Sequence, residues 1–229
     1  MSLLSAREPV DPRTLAPNRY VDWTDPHVMA YAHAAGGEGS PRAIAIRLVH
    51  DVRDRLRYSP WGVSFDPADY RASQIVRRDY ERGGHCIDKA LLLAAAARAR
   101  GIPSRLRFAN VRNHVGTARL EEQLGTDLLV YHGYTELHLE GRWVAATPAF
   151  NRQLCEKLGV DVLTFDGVHD SIFQPYDRQA GRFMEYVEDH GSHADIPFEA
   201  MTAAWRKHYP VDADEWPHPG APHPSETAS

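Results

Sequence analysis

The sequence predicts an α+β domain in which N-terminal helices and one central helix pack on an antiparallel sheet. A long alanine- and leucine-rich run at residues 83–103 has the composition of a helix that is buried on several sides. Two strand-like segments, residues 104–109 and 128–139, follow it, and this order is typical of α+β proteins rather than of alternating βαβ folds. A chain of 229 residues is long enough to bury a sizeable core in one domain.

Composition and charge exclude several classes of partner. The net charge of −5, with both signs interspersed, gives no reason to expect nucleic acid or an anionic membrane surface. The two cysteines, Cys86 and Cys155, cannot build a disulfide framework, which fits a reducing compartment. No apolar run approaches the ~20 residues of a membrane helix, and the first residues lack a signal-peptide pattern. We therefore expect a soluble, cytoplasmic protein.

Three regions are expected along the chain. Residues 1–39 form an N-terminal extension that packs on the core and contains a short helix starting at Asp25-Pro26. Residues 40–210 form the main domain. Residues 211–229 are rich in proline and polar residues, which predicts a disordered tail.

Local signals place the helices of the main domain. Ser40 suits an N-cap and Pro41 a first helical turn, and apolar residues at helical spacing follow them. Gly159 is suited to end a helix. Further helices are expected, in chain order, at residues 71–80, 152–158 and 197–208.

The central helix begins at a cysteine. Gly83 and Gly84 allow a sharp turn, Cys86 takes the first helical position, and Gly101 and Pro103 end the run. A helix N-terminus carries partial positive charge and free N–H donors, which favours a thiolate over a thiol. Cys86 is therefore a candidate nucleophile.

The strands follow the central helix. Residues 128–139 are the longest candidate, and a turn at Glu140-Gly141-Arg142 returns the chain as a hairpin partner at residues 143–147. Residues 184–187 fit either a strand or a helix, and their pattern does not separate the two. Residues 110–126 are expected to be irregular or partly helical.

The long strand supplies candidate bases for a thiol nucleophile. His132, Tyr134, Glu136 and His138 share one face because strand side chains alternate. Both histidines are eligible to accept the proton of a thiol, and spacing alone does not choose between them.

An ordered set of short motifs resembles the transglutaminase-like superfamily. The match covers about residues 40–150 and keeps the order of the family motifs. They are Gly84-x-Cys86, Arg98-x-x-Gly101-Ile102-Pro103-x-Arg105, His132-x-Tyr134-x-Glu136, and Trp143-Val144 before a proline. The chain is more similar to small bacterial-type members than to the large cross-linking enzymes of animals.

The resemblance implies a papain-like fold and a Cys–His–Asp triad. Carried over by motif position, Cys86 is the nucleophile and His132, rather than His138, is the base. The family aspartate falls on Thr147, in the run Ala146-Thr147-Pro148. A threonine hydroxyl can orient an imidazole but supplies no charge.

Several other residues are candidates for the third position. Thr147 would lie opposite Tyr134 if the hairpin has a two-residue turn, and Asn151 follows shortly after the strand. Glu136 lies roughly 6–7 Å along the strand from the histidine. Asp166 and Asp170 fall in loops that the pattern does not place. We favour Thr147 or Asn151.

Acyl transfer also needs donors for an oxyanion. The backbone N–H of Cys86 is the natural first donor, and Gln74 or Tyr70 could supply a side-chain donor. Cys155 lies in a polar helical segment and is expected to be structural. Without a Cys-x-x-Cys or His-x-x-x-His pair, neither a metal nor another cofactor is expected.

These features predict thiol-dependent acyl transfer on a peptide, protein or small amide substrate. Hydrolysis of the amidase or peptidase type is favoured over transamidation by family analogy. The alternative is a catalytically inactive transglutaminase-like module that binds peptides or partners, which the threonine at position 147 motivates. The sequence does not predict the oligomeric state.

Overall fold

The computed structural model describes residues 10–60, 63–113, 126–172 and 184–209. Within these ranges the chain forms six α-helices, two short 3-10 helices and one four-stranded sheet. The helices are α1 (Pro26–Gly36), α2 (Pro41–Arg55), α3 (Ala72–Ile75), α4 (Cys86–Ala99), α5 (Arg152–Leu158) and α6 (Phe198–His208). The strands are β1 (Ser104–Asn113), β2 (Leu128–Leu139), β3 (Arg142–Ala146) and β4 (Met184–His193). This mixture confirms the α+β prediction.

The sheet is antiparallel throughout, in the order β3-β2-β1-β4. Glu140 and Gly141 both have positive φ, 51° and 86°, as a two-residue hairpin turn requires. The resulting register pairs Thr135 with Ala146, so Thr147 follows opposite Tyr134, as the two-residue turn predicts. Because β3 ends at Ala146, no described strand pairs with the outer edge of β2 beyond that point.

The central helix α4 lies against β1 and β2, and all its residues from Ile87 to Arg98 are buried. Gly101 follows its last turn with φ of 71°, the left-handed conformation expected of a helix end. The buried Arg98 guanidinium donates to the carbonyls of Ala16, Ser104 and Ala194. It thereby ties the N-terminal segment and the β4–α6 link to the central helix.

Side-chain caps fix several helix starts at the predicted residues. The Asp25 carboxylate accepts from the His27 N–H at 2.9 Å, and the Ser40 hydroxyl accepts from the Ala43 N–H at 3.3 Å. Gly159 ends α5 with φ of 68°. These contacts are local, which explains why short sequence patterns predicted them.

Two elements differ from their prediction, and the choice between strand and helix that the sequence left open at residues 184–187 is resolved. The helix expected at residues 71–80 is confined to α3, which has no side-chain cap. Strand β1 continues to Asn113 because it pairs with β4, and residues 184–187 belong to that strand. Residues 114–125 and the tail 211–229, for which irregular structure and disorder were predicted, lie outside the described residues. Among the described helices none is both long and apolar enough to cross a membrane.

Candidate active site

Cys86 is the first residue of α4, and His85 caps that helix. The His85 ring Nδ1 accepts from the N–H groups of Ile87 at 3.0 Å and Asp88 at 3.3 Å. The Asp88 carboxylate accepts from the His85 N–H at 3.1 Å, which completes a reciprocal capping box. Because Nδ1 is an acceptor, a neutral His85 carries its proton on Nε2, which lies 3.4 Å from the Tyr70 hydroxyl.

A buried ion pair stabilises the His85 cap of α4. Asp88 and Arg78 lie 2.8 Å apart, with side chains only 1% and 4% exposed. Arg78 also donates to the Asp69 carbonyl at 3.0 Å. The first turn of α4 is therefore anchored by charge and hydrogen bonds before any substrate arrives. The His85-x-x-Asp88 spacing is the sequence signal for this arrangement.

Cys86 and His132 line one cavity of about 50 Å³, together with Tyr58, Val63, Leu129 and Trp205. We call it the Cys86 pocket. The structure thus brings together the nucleophile and base candidates, which lie on α4 and β2.

Gly133 lets β2 approach the cysteine closely. A Cβ at this position would lie 3.0 Å from Ile87 Cγ1 and 3.3 Å from Phe108 Cε1, so a larger residue would push the strand away. Its backbone N–H, at the stretch of the β2 edge with which β3 does not pair, points to the Cys86 sulfur and lowers the thiol pKa. Only glycine fits at position 133 without moving β2 away from α4.

Burial favours the neutral forms of Cys86 and His132. Although Cys86 keeps partial exposure, burial raises its pKa to about 11 against the opposing backbone N–H groups of Gly133, Ile87 and Cys86 itself. Burial, aided by His85, lowers the pKa of His132 to about 4. The sequence-based expectation that the helix N-terminus favours the thiolate is corrected here, because desolvation outweighs the helix dipole.

The backbone before His132 is irregular. The β1–β2 register shifts between Ala109 and Val111, and Tyr131 has φ of 60°, a left-handed conformation that costs energy in an aromatic residue. The Asn110 side-chain oxygen accepts from the Tyr131 N–H at 3.0 Å and from His190 Nε2 at 2.8 Å. The Tyr131 ring stacks on His190 with centroids 4.1 Å apart. Strand β4 thus holds the irregular residue in place.

Helix α6 holds the same irregular segment from another side. The Tyr209 hydroxyl accepts from the Val130 N–H at 2.7 Å, and the Trp205 indole N–H donates to the Val130 carbonyl at 2.9 Å. Both aromatic residues also line the Cys86 pocket. These partners are distant in sequence, so no local pattern could have predicted the irregularity.

The two favoured candidates for the third position differ in their surroundings. The Thr147 N–H donates to the Ser171 carbonyl at 2.8 Å, and its buried hydroxyl has no hydrogen-bond partner among the described residues. The Asn151 amide oxygen accepts from the Tyr58 N–H at 3.0 Å, and its nitrogen donates to Tyr80 at 3.0 Å and to Gln153 at 2.8 Å. Asn151 therefore fixes the segment that carries Tyr58, and both ends of its amide are engaged there.

Thr147 and Asn151 do not line the Cys86 pocket, and neither do the remaining polar candidates, which are used elsewhere. Glu136 accepts from Arg105 at 2.6 Å, on the face of β2 opposite α4. The His138 ring lies beside Trp143. Asp166 accepts from N–H groups within its own turn, and Asp170 accepts from β3.

The side-chain oxyanion donors expected from the sequence, Tyr70 and Gln74, lie outside the pocket. The Tyr70 hydroxyl accepts from the Ser64 N–H at 3.0 Å and faces His85, and Gln74 is exposed on α3. Tyr58 does line the pocket, and its pKa is raised well above its usual value by burial and by the nearby Cys86. Among the described residues, no partner binds its hydroxyl. Tyr58 was not among the donors expected from the sequence.

Cys155 has no evident part in this pocket. Cys155 is fully buried in a small separate cluster with Val160. In the ranges that the structure describes, no group of three or more histidine, cysteine or acidic side chains is arranged to hold a metal ion.

The chain is similar to known proteins in its sequence and in its fold. A model of the transglutaminase-like superfamily matches residues 29–148, which include Cys86, His132 and Thr147. No curated protein matches the sequence. A crystal structure described as a candidate cysteine protease from Cytophaga hutchinsonii is similar at 19% identity and a TM-score of 0.44, over 89% of this chain. The matched region is 60% of that protein, so this chain spans less than two thirds of its length.

The superfamily match covers 120 of 229 residues, counted from 29 to 148. It includes the helix that begins at Cys86 and the strand that carries His132. The chain therefore belongs to the transglutaminase-like superfamily, a membership that supports a cysteine-dependent hydrolase or acyltransferase type of activity.

Proposed function

We propose that the protein transfers acyl groups from amide or peptide substrates through Cys86, with His132 as the base. The observation that carries the proposal is the shared pocket, in which the first residue of α4 meets β2 and the Gly133 N–H points to the thiol. Analogy with small members of the superfamily favours hydrolysis over transamidation.

The neutral state of the pair defines the first step. Burial favours the neutral thiol of Cys86 and the neutral imidazole of His132, so proton transfer between them before any attack is unfavourable. The proton therefore passes to His132 as the sulfur–carbon bond forms and the carbonyl oxygen gains its charge. His132 acts as a general base rather than as half of a resting ion pair.

The developing oxyanion needs hydrogen-bond donors. The His85 cap uses the N–H groups of Ile87 and Asp88, and the Cys86 N–H lies beside its own sulfur, where an oxyanion would form. We assign this N–H and the Tyr58 hydroxyl as the two donors. The imidazolium then gives its proton to the leaving amine as the carbon–nitrogen bond breaks, which leaves a thioester on Cys86.

Resolution of the thioester regenerates the enzyme. Water, or an amine in transamidation, attacks the carbonyl carbon while His132 accepts its proton. The carbon–sulfur bond then breaks, and the proton returns to the sulfur of Cys86. Thr147 is the proposed third residue, because its buried hydroxyl is available to orient the imidazole without adding charge.

Acylation by p-nitrophenyl acetate tests the proposal directly. Release of p-nitrophenol and the mass of the intact protein report acylation of Cys86, and Cys86→Ala should abolish it. His132→Ala and His132→Gln should slow it by roughly a hundredfold or more, the usual effect of a general base. Cys155→Ala is the matched control, because Cys155 is buried outside the pocket and its loss should leave the rate unchanged.

Amide chemistry is tested next with a mixture of peptide p-nitroanilides. Adding glycinamide separates the two fates of the thioester, because transamidation yields a new amide and hydrolysis yields an acid. Thermal melts show whether each variant folds. If Cys86 is not acylated, or if both folded His132 variants react like the wild type, the proposed activity is wrong.

The alternative is a binding module without catalysis. It is motivated by Thr147 at the position of the family aspartate and by a base whose pKa is about 4. A module of this kind would bind peptides equally well after Cys86→Ala and would show no acylation that depends on His132. The same experiment therefore distinguishes the two functions.

A further inference from the structure

We infer that the acyl group delivered to Cys86 carries a short, uncharged, aliphatic chain that enters the Cys86 pocket. This inference rests on the proposed function and adds the substrate class to it. It is argued from the walls, the polar atoms and the size of the pocket.

The walls of the pocket are apolar. Val63 and Leu129 come from the loop after α2 and from the start of β2, Ile87 comes from the first turn of α4, and Trp205 comes from α6. Among the described residues, no aspartate, glutamate, lysine or arginine lines the pocket. A charged acyl chain would lose its water there without gaining a partner of opposite charge.

Most polar atoms in the walls already have partners inside the protein. The Trp205 indole N–H and the Tyr209 hydroxyl bond the backbone of Val130. The ring of His85 is occupied by the helix cap and by Tyr70. A primary amide at the end of an acyl chain, as in glutamine, would therefore find few groups to replace its bonds with water.

The size of the pocket limits the length of the chain. The space of about 50 Å³ inside the pocket is roughly four times the ~10–15 Å³ that holds one water molecule. A chain of about three or four carbon atoms fills such a space. Each buried methylene favours binding by roughly fourfold, so a chain two carbons longer than acetyl should react roughly fifteenfold faster.

A series of p-nitrophenyl esters tests the inference on the full-length protein. The probes are the acetate, the butyrate, the octanoate and the succinate monoester, which has the length of butyrate and a carboxylate at its end. Rates of Cys86 acylation are divided by the rates with N-acetylcysteine, which removes differences in intrinsic reactivity. We expect butyrate to exceed acetate by roughly fifteenfold, and octanoate and succinate to fall at least tenfold below butyrate.

A positive charge in the wall of the Cys86 pocket should reduce the preference for butyrate over succinate. Leu129→Lys should raise the succinate-to-butyrate ratio at least tenfold, because it supplies a partner for the carboxylate. Ala203→Lys adds the same charge on the exposed side of α6 and should leave the ratio unchanged. If the four normalised rates are equal while acylation still depends on His132, this inference is wrong and the proposed function stands. If no ester acylates Cys86 in a way that depends on His132, the proposed function fails and this inference fails with it.

Discussion

The pH dependence of Cys86 alkylation tests whether the resting site is neutral. With Cys155 replaced by serine, Cys86 is the only thiol in the chain. Iodoacetamide reacts with the thiolate, so its rate follows the fraction of Cys86 that is ionised. A pKa of about 11 predicts a rate that rises roughly tenfold per pH unit from about pH 6 to about pH 10.

The absolute rate of Cys86 alkylation at pH 7 provides a second measure of the Cys86 pKa. At pH 7 a thiol with a pKa of about 11 is ionised to roughly one part in ten thousand, whereas a thiol at the reference value of 9.0 is ionised to roughly one part in a hundred. Cys86 should therefore react roughly a hundredfold more slowly than the same residue in urea-unfolded protein. The unfolded protein is the matched control, because its thiol has the same sequence around it.

His132 should add no step to this profile. Its pKa of about 4 leaves it neutral throughout the measured range. A resting thiolate–imidazolium pair would instead give a plateau at mildly acidic and neutral pH, bounded by the two pKa values of the pair. Observation of that plateau would refute the neutral-pair argument and the order of events in the first chemical step.

Three further variants probe the supports of the site. Gly133→Ala should reduce Cys86 acylation by p-nitrophenyl butyrate at least tenfold, because its Cβ would lie 3.0 Å from Ile87 Cγ1; an unchanged rate would contradict the close approach of β2. Lys89 has a pKa of about 7 when folded and 10.5 as its reference, so unfolding takes up a proton between these values and stability rises with pH there. In urea titrations between these pH values, the unfolding free energy of the wild type should rise with pH by up to ~1.4 kcal/mol per unit more than that of Lys89→Met. If the two unfolding free energies change with pH in parallel, this prediction is wrong. Thr147→Asp should raise the pKa of His132 in an NMR titration, and an unmoved resonance would remove Thr147 as its neighbour.

Local signals in the sequence were sufficient for most helix boundaries and for the hairpin. Ser40 and Gly159 act on the backbone within a few residues of themselves, so their patterns predicted where α2 begins and α5 ends. The turn at Glu140 and Gly141 fixed the register of β2 and β3 in the same way. Such features depend on neighbours in sequence, which the sequence displays directly.

Features that depend on distant partners were not predictable. Strand β4 is a strand because β1 supplies its hydrogen-bonding partners, and Asn110 and His190, which hold the irregular segment of β2, are separated by 80 residues. The two upstream tyrosines illustrate the same limit in the site. The sequence-based side-chain donors were Gln74 and Tyr70, and only the folded chain shows that Tyr58 lines the pocket.

The family motifs predicted which residues meet but not their protonation. Position alone indicated a thiolate at Cys86, because a helix N-terminus favours negative charge. Burial acts in the opposite direction on both Cys86 and His132, and it comes from β2, α6 and the loop at Tyr58 rather than from the helix. Sequence patterns do not report the depth of a site that several distant segments enclose.

The threonine at position 147 fits this environment better than an aspartate would. A carboxylate would favour the imidazolium form of His132, yet burial and the nearby His85 both oppose a charge there. The apolar walls around Cys86 likewise oppose a thiolate. In the proposed mechanism, the uncharged Thr147, the neutral His132 and the neutral Cys86 thiol form one consistent set, and charge develops only when a substrate carbonyl enters the pocket. Thr147→Asp alone changes one member of that set, so it should raise the pKa of His132 without lowering the pKa of Cys86 to the value of an exposed thiol.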